Sequence, residues 1–186
     1  VSGSVFGLNT EPDSRCGGAG RDAWLRVFVR PRDAQLLHTA VKGGDTFSWA
    51  GREVKVFDCP GHTRGHIAFH IPSEYSLFAG DTVFAMGCGR VNEGSMAEMW
   101  HSVNQFRPLP PVTHVYCGHE YTEANCRFAL SVEPGNRDLQ QRATVVAAQR
   151  ARGEMTCPST IGDELKTNPF MRCDSREIRK NLKLET

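Results

Sequence analysis

Hydrophobic and polar positions alternate in short runs along the first two-thirds of the chain, and these runs predict β-strands. They are REVKVFDCPG, HIAFHI, EYSLFAGD and HVYCGHEY, each bounded by Gly, Pro or charged residues. From residue 122 the spacing becomes helical in TEANCRFALSVEP, NRDLQQRATVVAAQRARGE and DSREIRKNLKL. We expect these helices to begin at Thr122, Asn136 and Asp174. The pattern therefore predicts an α/β body followed by a helical C-terminal segment.

One further helix is predicted inside the strand-rich part. Ser95 and Glu98 form a capping box at its start. Five apolar residues then repeat at helical spacing and are expected to face the core: Met96, Met99, Trp100, Val103 and Phe106. By contrast, residues 9–22 (NTEPDSRCGGAGRD) are polar and Gly-rich, which predicts a surface loop.

The composition excludes several classes of function. The chain has 186 residues, a formal net charge of +1, 39% hydrophobic and 23% charged residues. Such a charge gives no global field for nucleic acid, and no apolar run approaches the roughly 20 residues of a membrane span. The seven cysteines are odd in number and form no CxxC, so free thiols are expected, in the cytoplasm or the mitochondrial matrix.

Three histidines in PGHTRGHIAFH are spaced by four residues, as on one face of a zinc-binding helix. Pro60 and Gly61 precede the first of them, and Gly65 separates the first two, which disfavours a helix. We therefore expect His62 on a tight loop and His66 at the start of the next strand, followed by a structural His70.

Three loops carry candidate chemistry: His62, Asp81 and His119 each follow an apolar strand, and Gly stands immediately before each of them. Glycine permits a sharp turn that directs the next side chain off the strand end. Two imidazoles and a carboxylate from three strand ends would suit a zinc-type site. Taken singly, each is equally an ordinary polar residue of a turn, and the chemistry alone leaves both interpretations open.

Longer motifs resemble a known family. CPGHTRGH, FAGDTVFAMGCGRVNEG, VYCGHEYTEANCRFAL, RARGEMTCPST and TNPFMR occur in the order and approximate spacing of glyoxalase II, the hydroxyacylglutathione hydrolase branch of the metallo-β-lactamase superfamily. The resemblance implies a metallo-β-lactamase αββα sandwich in residues 1–119 and a helical hydroxyacylglutathione hydrolase C-terminal domain in residues 120–186.

The same resemblance implies hydrolysis of S-(2-hydroxyacyl)glutathione thioesters, such as S-lactoylglutathione, in methylglyoxal detoxification. It implies two divalent metal ions, zinc or else iron or manganese, with His62 on the first, His119 on the second and the catalytic Asp81 bridging both. His66 would support these ligands without binding metal. The expected protein is a monomer without nucleic-acid or membrane partners.

The resemblance also assigns the substrate side. Arg90, Tyr121 and Arg172 match residues that bind the glutathione moiety, whose carboxylates call for cations and hydroxyls. Asn92 departs from the family pattern, where an aromatic residue is usual, so the contact with the thiol carrier is expected to differ there.

The HxHxDH signature of the superfamily occurs nowhere in the sequence, since no two histidines are separated by one residue and no Asp-His pair exists. We therefore expect a fold that is incomplete at its N-terminal side and a 186-residue chain that is inactive alone. Two alternatives remain, a non-catalytic remnant acting as a binding module and a persulfide dioxygenase-like enzyme with a single iron.

Overall fold

The computed structural model of the protein describes residues 28–29 and 39–184, with side chains from residue 41 onward. Ten strands are described: β1 (Phe28–Val29), β2 (Thr39–Ala40), β3 (Thr46–Trp49), β4 (Arg52–Asp58), β5 (Ile67–Ile71), β6 (Ser76–Gly80), β7 (Val83–Phe84), β8 (Gly87–Cys88), β9 (His114–Cys117) and β10 (Ser159–Thr160). Five α-helices are described: α1 (Met96–Asn104), α2 (Thr122–Val132), α3 (Arg137–Ala151), α4 (Ile161–Thr167) and α5 (Arg176–Asn181). The predicted loop at residues 9–22, Cys16 and His38 lie outside the described residues.

A six-stranded sheet organises the molecule, in the order β10-β9-β6-β5-β4-β3. Neighbouring strands are antiparallel except for the parallel pair β6 and β9. Because β6 and β9 run in the same direction, their C-terminal ends meet at one edge of the sheet, and β6 pairs Gly80 with Cys117 there. The residues that follow these two strands are thereby brought side by side.

The four predicted strands are confirmed as β4, β5, β6 and β9. Each buries alternate side chains over part of its length, as in β6, where Leu77 and Ala79 are fully buried. These residues pack in one core with α1 and with Ile161 and Met171 from the C-terminal part. The sheet, α1 and the start of α4 therefore share one hydrophobic core, whereas α2 and α3 pack around Met86 in a second cluster with Cys126, Ala129, Leu139 and Val146.

Helix α1 begins as predicted, with a capping box. The Ser95 hydroxyl accepts a hydrogen bond from the Glu98 backbone N–H, and the Glu98 carboxylate accepts one from the Ser95 backbone N–H. Its core stripe is narrower than the spacing predicted. Met99, Val103 and Phe106 are buried, but Met96 is 77% and Trp100 41% exposed, so their assignment to the core is wrong. Met96 and Trp100 flank the buried stripe of α1, and a regular spacing alone does not reveal how wide that stripe is.

The C-terminal third is helical as predicted, with differences at two helix starts. Asn136 caps α3 by accepting from the Leu139 backbone N–H, as expected. At α5, however, the N-cap is Ser175 rather than Asp174, and Glu177 accepts from the backbone of Gly135 instead of closing a capping box. Helix α2 includes Thr122 as its first residue, after Tyr121 at the N-cap.

A buried carboxylate joins the C-terminal helices to the strand-rich part. Glu164 on α4 is fully buried, accepts from the Met86 backbone N–H at 2.8 Å and forms a 2.7 Å ion pair with Arg142 on α3. Asn168 donates to Glu164 at 2.9 Å and also to the carbonyls of Phe84 and Gly87. The hairpin of β7 and β8 is thus held by side chains from the helical segment.

The predicted fold class is confirmed as a mixed α/β body with a helical C-terminal segment. In the portion of the chain with described structure, no helix has the length and apolar character needed to cross a bilayer.

Candidate metal and substrate site

His62 lies on the turn that follows β4, in a loop and not in a helix, as the sequence predicted. Gly61 has φ +138°, and a Cβ there would lie 2.8 Å from the Cα of Met99 on α1. Glycine is therefore needed both for the backbone conformation and for the close approach of the helix. The Nδ1 of His62 lies 2.9 Å from the Arg90 carbonyl. Because a carbonyl only accepts, Nδ1 carries the proton, and Nε2 keeps its lone pair for another partner.

Asp81 follows β6 through Gly80, which has a positive φ of 54°. Its backbone N–H donates to Nε2 of His66 at 3.2 Å, and Nδ1 of His66 lies 3.1 Å from the Thr82 hydroxyl. His66 is 2% exposed, and this burial lowers its pKa to about 4. The ring is therefore neutral, donates from Nδ1 to Thr82 and fixes the turn that presents Asp81. This is the supporting contact expected of a histidine that is not itself a ligand.

His119 follows β9, directly beyond Gly118. The Gly118 N–H donates to the Gly80 carbonyl at 3.1 Å, which ties the ends of β9 and β6 together. Gly118 has an ordinary backbone conformation, but a Cβ there would overlap Oδ1 of Asp81. Glycine is thus required at this third position for space and not for conformation.

The three predicted ligand residues lie together. Oδ2 of Asp81 is 3.2 Å from Nε2 of His62 and 3.5 Å from Nε2 of His119. Two ligands that bind one tetrahedral zinc ion at about 2.0–2.1 Å are roughly 3.3–3.4 Å apart. Each His–Asp pair therefore has a separation that suits two ligands of a shared ion, and the carboxylate oxygen lies between the two imidazoles.

The set of donors is nevertheless short of a complete metal site. Over residues 41–184, whose side chains are described, no group of three or more His, Cys, Asp and Glu side chains has an arrangement that could hold a metal ion. Catalytic zinc is normally held by three protein ligands with a fourth position open. The donor types and pair distances fit divalent metals, whereas the number of donors that converge does not.

Two of the three predicted substrate residues lie at this site. Tyr121 stacks on the His119 ring with centroids 5.0 Å apart, and Phe84 packs edge-on against Tyr121 at 5.3 Å. The backbone carbonyl of Arg90 accepts a hydrogen bond from Nδ1 of His62, and the Arg90 side chain is exposed. Asn92, the departure from the family pattern, has its amide nitrogen 3.4 Å from Nδ1 of the same histidine.

Arg172 has other partners. Its guanidinium donates to both carboxylate oxygens of Glu133 at 2.7 and 3.0 Å, and to the Leu165 carbonyl at 3.3 Å. Glu133 is 3% exposed and also accepts from Ser175 and Asn136. Among the contacts described for Arg172, none joins it to His62, Asp81 or His119. Its predicted role in binding substrate stays a prediction.

The sequence reasoning missed Phe84, which forms the apolar wall beside His119 and Tyr121. It also missed the pair Glu164 and Asn168, which hold the hairpin carrying Phe84. The only signal in the sequence was the spacing of Glu164 and Asn168 by four residues, which places them on one side of a helical turn.

Comparison with known families places the chain. The family model described as "Metallo-beta-lactamase superfamily" matches residues 10–119. The chain belongs to the metallo-β-lactamase superfamily. The model "Hydroxyacylglutathione hydrolase C-terminus" matches residues 120–186, so within the superfamily the chain resembles the hydroxyacylglutathione hydrolases.

Curated relatives agree with that assignment, and a solved structure shares the fold. The chain is 52% identical over 145 residues to the hydroxyacylglutathione hydrolase of Maricaulis maris, covering 78% of this chain and 57% of that protein. It is 48% identical over 148 residues to that of Methylococcus capsulatus, covering 80% and 58%. The BLEG-1 B3 metallo-beta-lactamase has the same fold at a TM-score of 0.54 and 20% identity, covering 82% of this chain and 68% of that one.

The chain thus spans between half and two-thirds of the length of these curated relatives. Membership of the superfamily implies binding of divalent metal ions, which agrees with the donor types that meet at the ends of β4, β6 and β9.

Proposed function

We propose that a protein containing this chain hydrolyses S-(2-hydroxyacyl)glutathione thioesters, such as S-lactoylglutathione, to the hydroxy acid and glutathione. The observation that carries this proposal is the position of one Asp81 oxygen within 3.5 Å of Nε2 of both His62 and His119. Relatives near 50% identity bear the name hydroxyacylglutathione hydrolase, and residues 120–186 match the C-terminal family model of the same name.

We propose His62 as a ligand of one metal, His119 as a ligand of a second, and Asp81 as a ligand of both. Zinc is the metal we favour, because imidazole and carboxylate ligands suit it, although iron and manganese accept similar donors. What such a metal pair supplies when bound is Lewis acidity, which lowers the pKa of water toward neutrality and stabilises negative charge on the thioester oxygen. Further ligands must come from residues outside this set.

The chain's own contacts prepare these side chains for that role. The Arg90 carbonyl fixes the tautomer and the orientation of His62, and His66 fixes the backbone of Asp81. Groups held in this way lose little freedom when a ligand binds, which is how supporting contacts raise the affinity of a metal site.

We propose that Arg90 and Tyr121 face the glutathione part of the substrate. Arg90 supplies an exposed positive charge for a carboxylate, and Tyr121 supplies a hydroxyl and a ring stacked on His119. Glutathione thiolate is a good leaving group, so no strong general acid is needed. We also propose that the boundary between the metallo-β-lactamase domain and the helical domain falls between residues 119 and 120, where the two family models meet.

The experiment joins an N-terminal segment of the Maricaulis maris relative to the start of this chain. The release of thiol from S-lactoylglutathione is then measured. We expect hydrolysis by this chimera and at least a hundredfold loss with Asp81→Asn or His119→Ala. The control His101→Ala alters an exposed histidine on α1 and should retain the rate. A chimera that is folded and metal-loaded but inactive would favour a binding module, and an equal effect of all three substitutions would refute the assignment.

A further inference from the structure

Two cysteine side chains face each other where β9 and β10 pair, beside the strand end that carries His119. The Sγ atoms of Cys117 and Cys157 are 3.9 Å apart. β9 and β10 are antiparallel, with Ser159 opposite Val115 and Thr160 opposite His114. Cys117 lies two residues beyond Val115 and Cys157 two residues before Ser159, which brings the two cysteines to the same end of this strand pair. Directly opposed residues of an antiparallel pair have Cα atoms about 4.5–5.5 Å apart, and cysteines close to such a pair are within the range that a disulfide spans.

Neither of the two cysteines is fully buried. Both are partly exposed, unlike Cys59 and Cys126, which are buried. The remaining sulfur contacts of the pair are to backbone carbonyls, Cys117 to His119 at 3.3 Å and Cys157 to Val115 at 3.8 Å. A bond length of about 2.05 Å requires the sulfurs to approach by roughly 2 Å, a distance that rotation of the two side chains about χ1 can supply.

We propose that Cys117 and Cys157 form an oxidative modification site, which closes to a reversible disulfide by exchange with a low-molecular-weight disulfide such as glutathione disulfide. In the first step, one cysteine thiolate attacks a sulfur of the small disulfide. The S–S bond breaks, a mixed disulfide forms on the protein, and one thiolate leaves. In the second step, the other cysteine thiolate attacks the protein sulfur of the mixed disulfide and expels the second small thiolate. The two protein thiols are oxidised, one disulfide is reduced to two thiols, and the two protons pass to the leaving thiolates.

The site lies where a cross-link would act on the neighbouring loops. Thr156 precedes Cys157, and its backbone N–H donates to the Glu120 carboxylate at 3.0 Å, while its hydroxyl lies 2.6 Å from that of Thr122. His119 is two residues beyond Cys117. A disulfide would therefore fix the segment before β10 against the strand that carries His119. This inference rests on the opposed thiols alone and does not depend on thioester hydrolysis.

The test incubates the 186-residue chain with glutathione and glutathione disulfide at a series of ratios, quenches it with acid and maps the products by mass spectrometry. We expect a species lighter by two hydrogen atoms, whose digest contains one cross-linked peptide joining Cys117 and Cys157, and which reverts under excess glutathione. Cys117→Ser or Cys157→Ser should abolish the cross-link and leave a mixed disulfide on the remaining partner. The matched control Cys173→Ser removes an exposed thiol and should leave the cross-link unchanged.

Three results would overturn the proposal. The first is that no cross-link forms at any ratio. The second is that a mixed disulfide persists on the unaltered chain without closing. The third is a cross-link that involves another cysteine, such as Cys16, or that survives Cys157→Ser. Measurements on the unaltered chain alone distinguish the expected cross-link from the first two of these results. The test therefore does not depend on the folding of a variant.

Discussion

Removal of the buried carboxylate of Glu164 should destabilise the protein strongly. The side chain is fully buried and serves three donors: the Met86 backbone N–H at 2.8 Å, Asn168 at 2.9 Å and Arg142 at 2.7 Å. Glu164→Ala removes all three bonds at once. It leaves a largely buried guanidinium without its counter-charge and the buried Met86 N–H without an acceptor, while Asn168 keeps the carbonyls of Phe84 and Gly87.

Breaking a buried ion pair by removing one partner costs about 3–5 kcal/mol of unfolding free energy. In a chain of this size, each kcal/mol corresponds to a shift of roughly 2–4 °C in the unfolding temperature, so Glu164→Ala should lower that temperature by about 6–20 °C. Glu164→Gln keeps the shape and one acceptor oxygen, but it turns an amide toward a donor. Its loss of unfolding free energy should lie between zero and that of Glu164→Ala.

Urea and thermal unfolding followed by circular dichroism measure these losses. Glu154→Ala is the matched control, because Glu154 forms an ion pair with Arg152 of the same 2.7 Å length but on the exposed surface. It should leave the unfolding midpoint in place, since exposed ion pairs contribute little. The reasoning is refuted if Glu164→Ala unfolds within about 1 kcal/mol of the unaltered chain, a loss common to ordinary substitutions, or if the two alanine variants lose equal stability.

Three further predictions follow from the site and its surroundings. Burial lowers the pKa of His66 from 6.5 to about 4, so the unfolded chain binds a proton that the folded chain rejects between these values. Stability should therefore fall by about 2 kcal/mol from about pH 7 to about pH 5, and His66→Gln should flatten that slope; parallel slopes would contradict this. Gly118→Ala should displace the Asp81 carboxylate and weaken metal binding by the chimera at least tenfold, as measured by metal titration, with an unchanged unfolding midpoint. An unaltered metal affinity would count against the close contact. Arg172→Ala should lower the unfolding free energy by about 3 kcal/mol, because it leaves the buried Glu133 without its counter-charge. The same substitution should raise KM for a glutathione thioester more than it lowers kcat; an equal fall in kcat and kcat/KM would place Arg172 in the chemistry.

Local features of the fold were predictable from the sequence because their causes are local. The alternation that produced β4, β5, β6 and β9 and the Ser95–Glu98 capping box depend on neighbours within a few residues. The same holds for the three Gly-preceded turns. Glycine before each candidate ligand was visible in the sequence, although its reason differs between the positive φ of Gly61 and the space required at Gly118.

The remaining features depend on partners that are distant in sequence. Met86 and Glu164 are 78 residues apart, and nothing near either of them indicates the other. The apolar repeat of α1 did not reveal that Trp100 lies outside the packed surface, because a spacing gives the direction of a face but not its width. Arg172 matched a motif, but the buried partner that holds its guanidinium, Glu133, lies 39 residues earlier at the end of α2.

The central claim is that His62, Asp81 and His119 are metal ligands that require others to complete the site. Its most direct test is the metal content per chain, measured by mass spectrometry after dialysis, for the 186-residue chain and for the chimera with the relative's N-terminal part. We expect two divalent ions bound to the chimera, and only weak binding and no useful hydrolysis of S-lactoylglutathione by the chain alone, because each ion would then have two protein ligands. Substitution of His62, Asp81 or His119 should remove metal from the chimera. Two tightly retained ions and rapid turnover in the 186-residue chain, or full retention of metal after all three substitutions, would contradict the account.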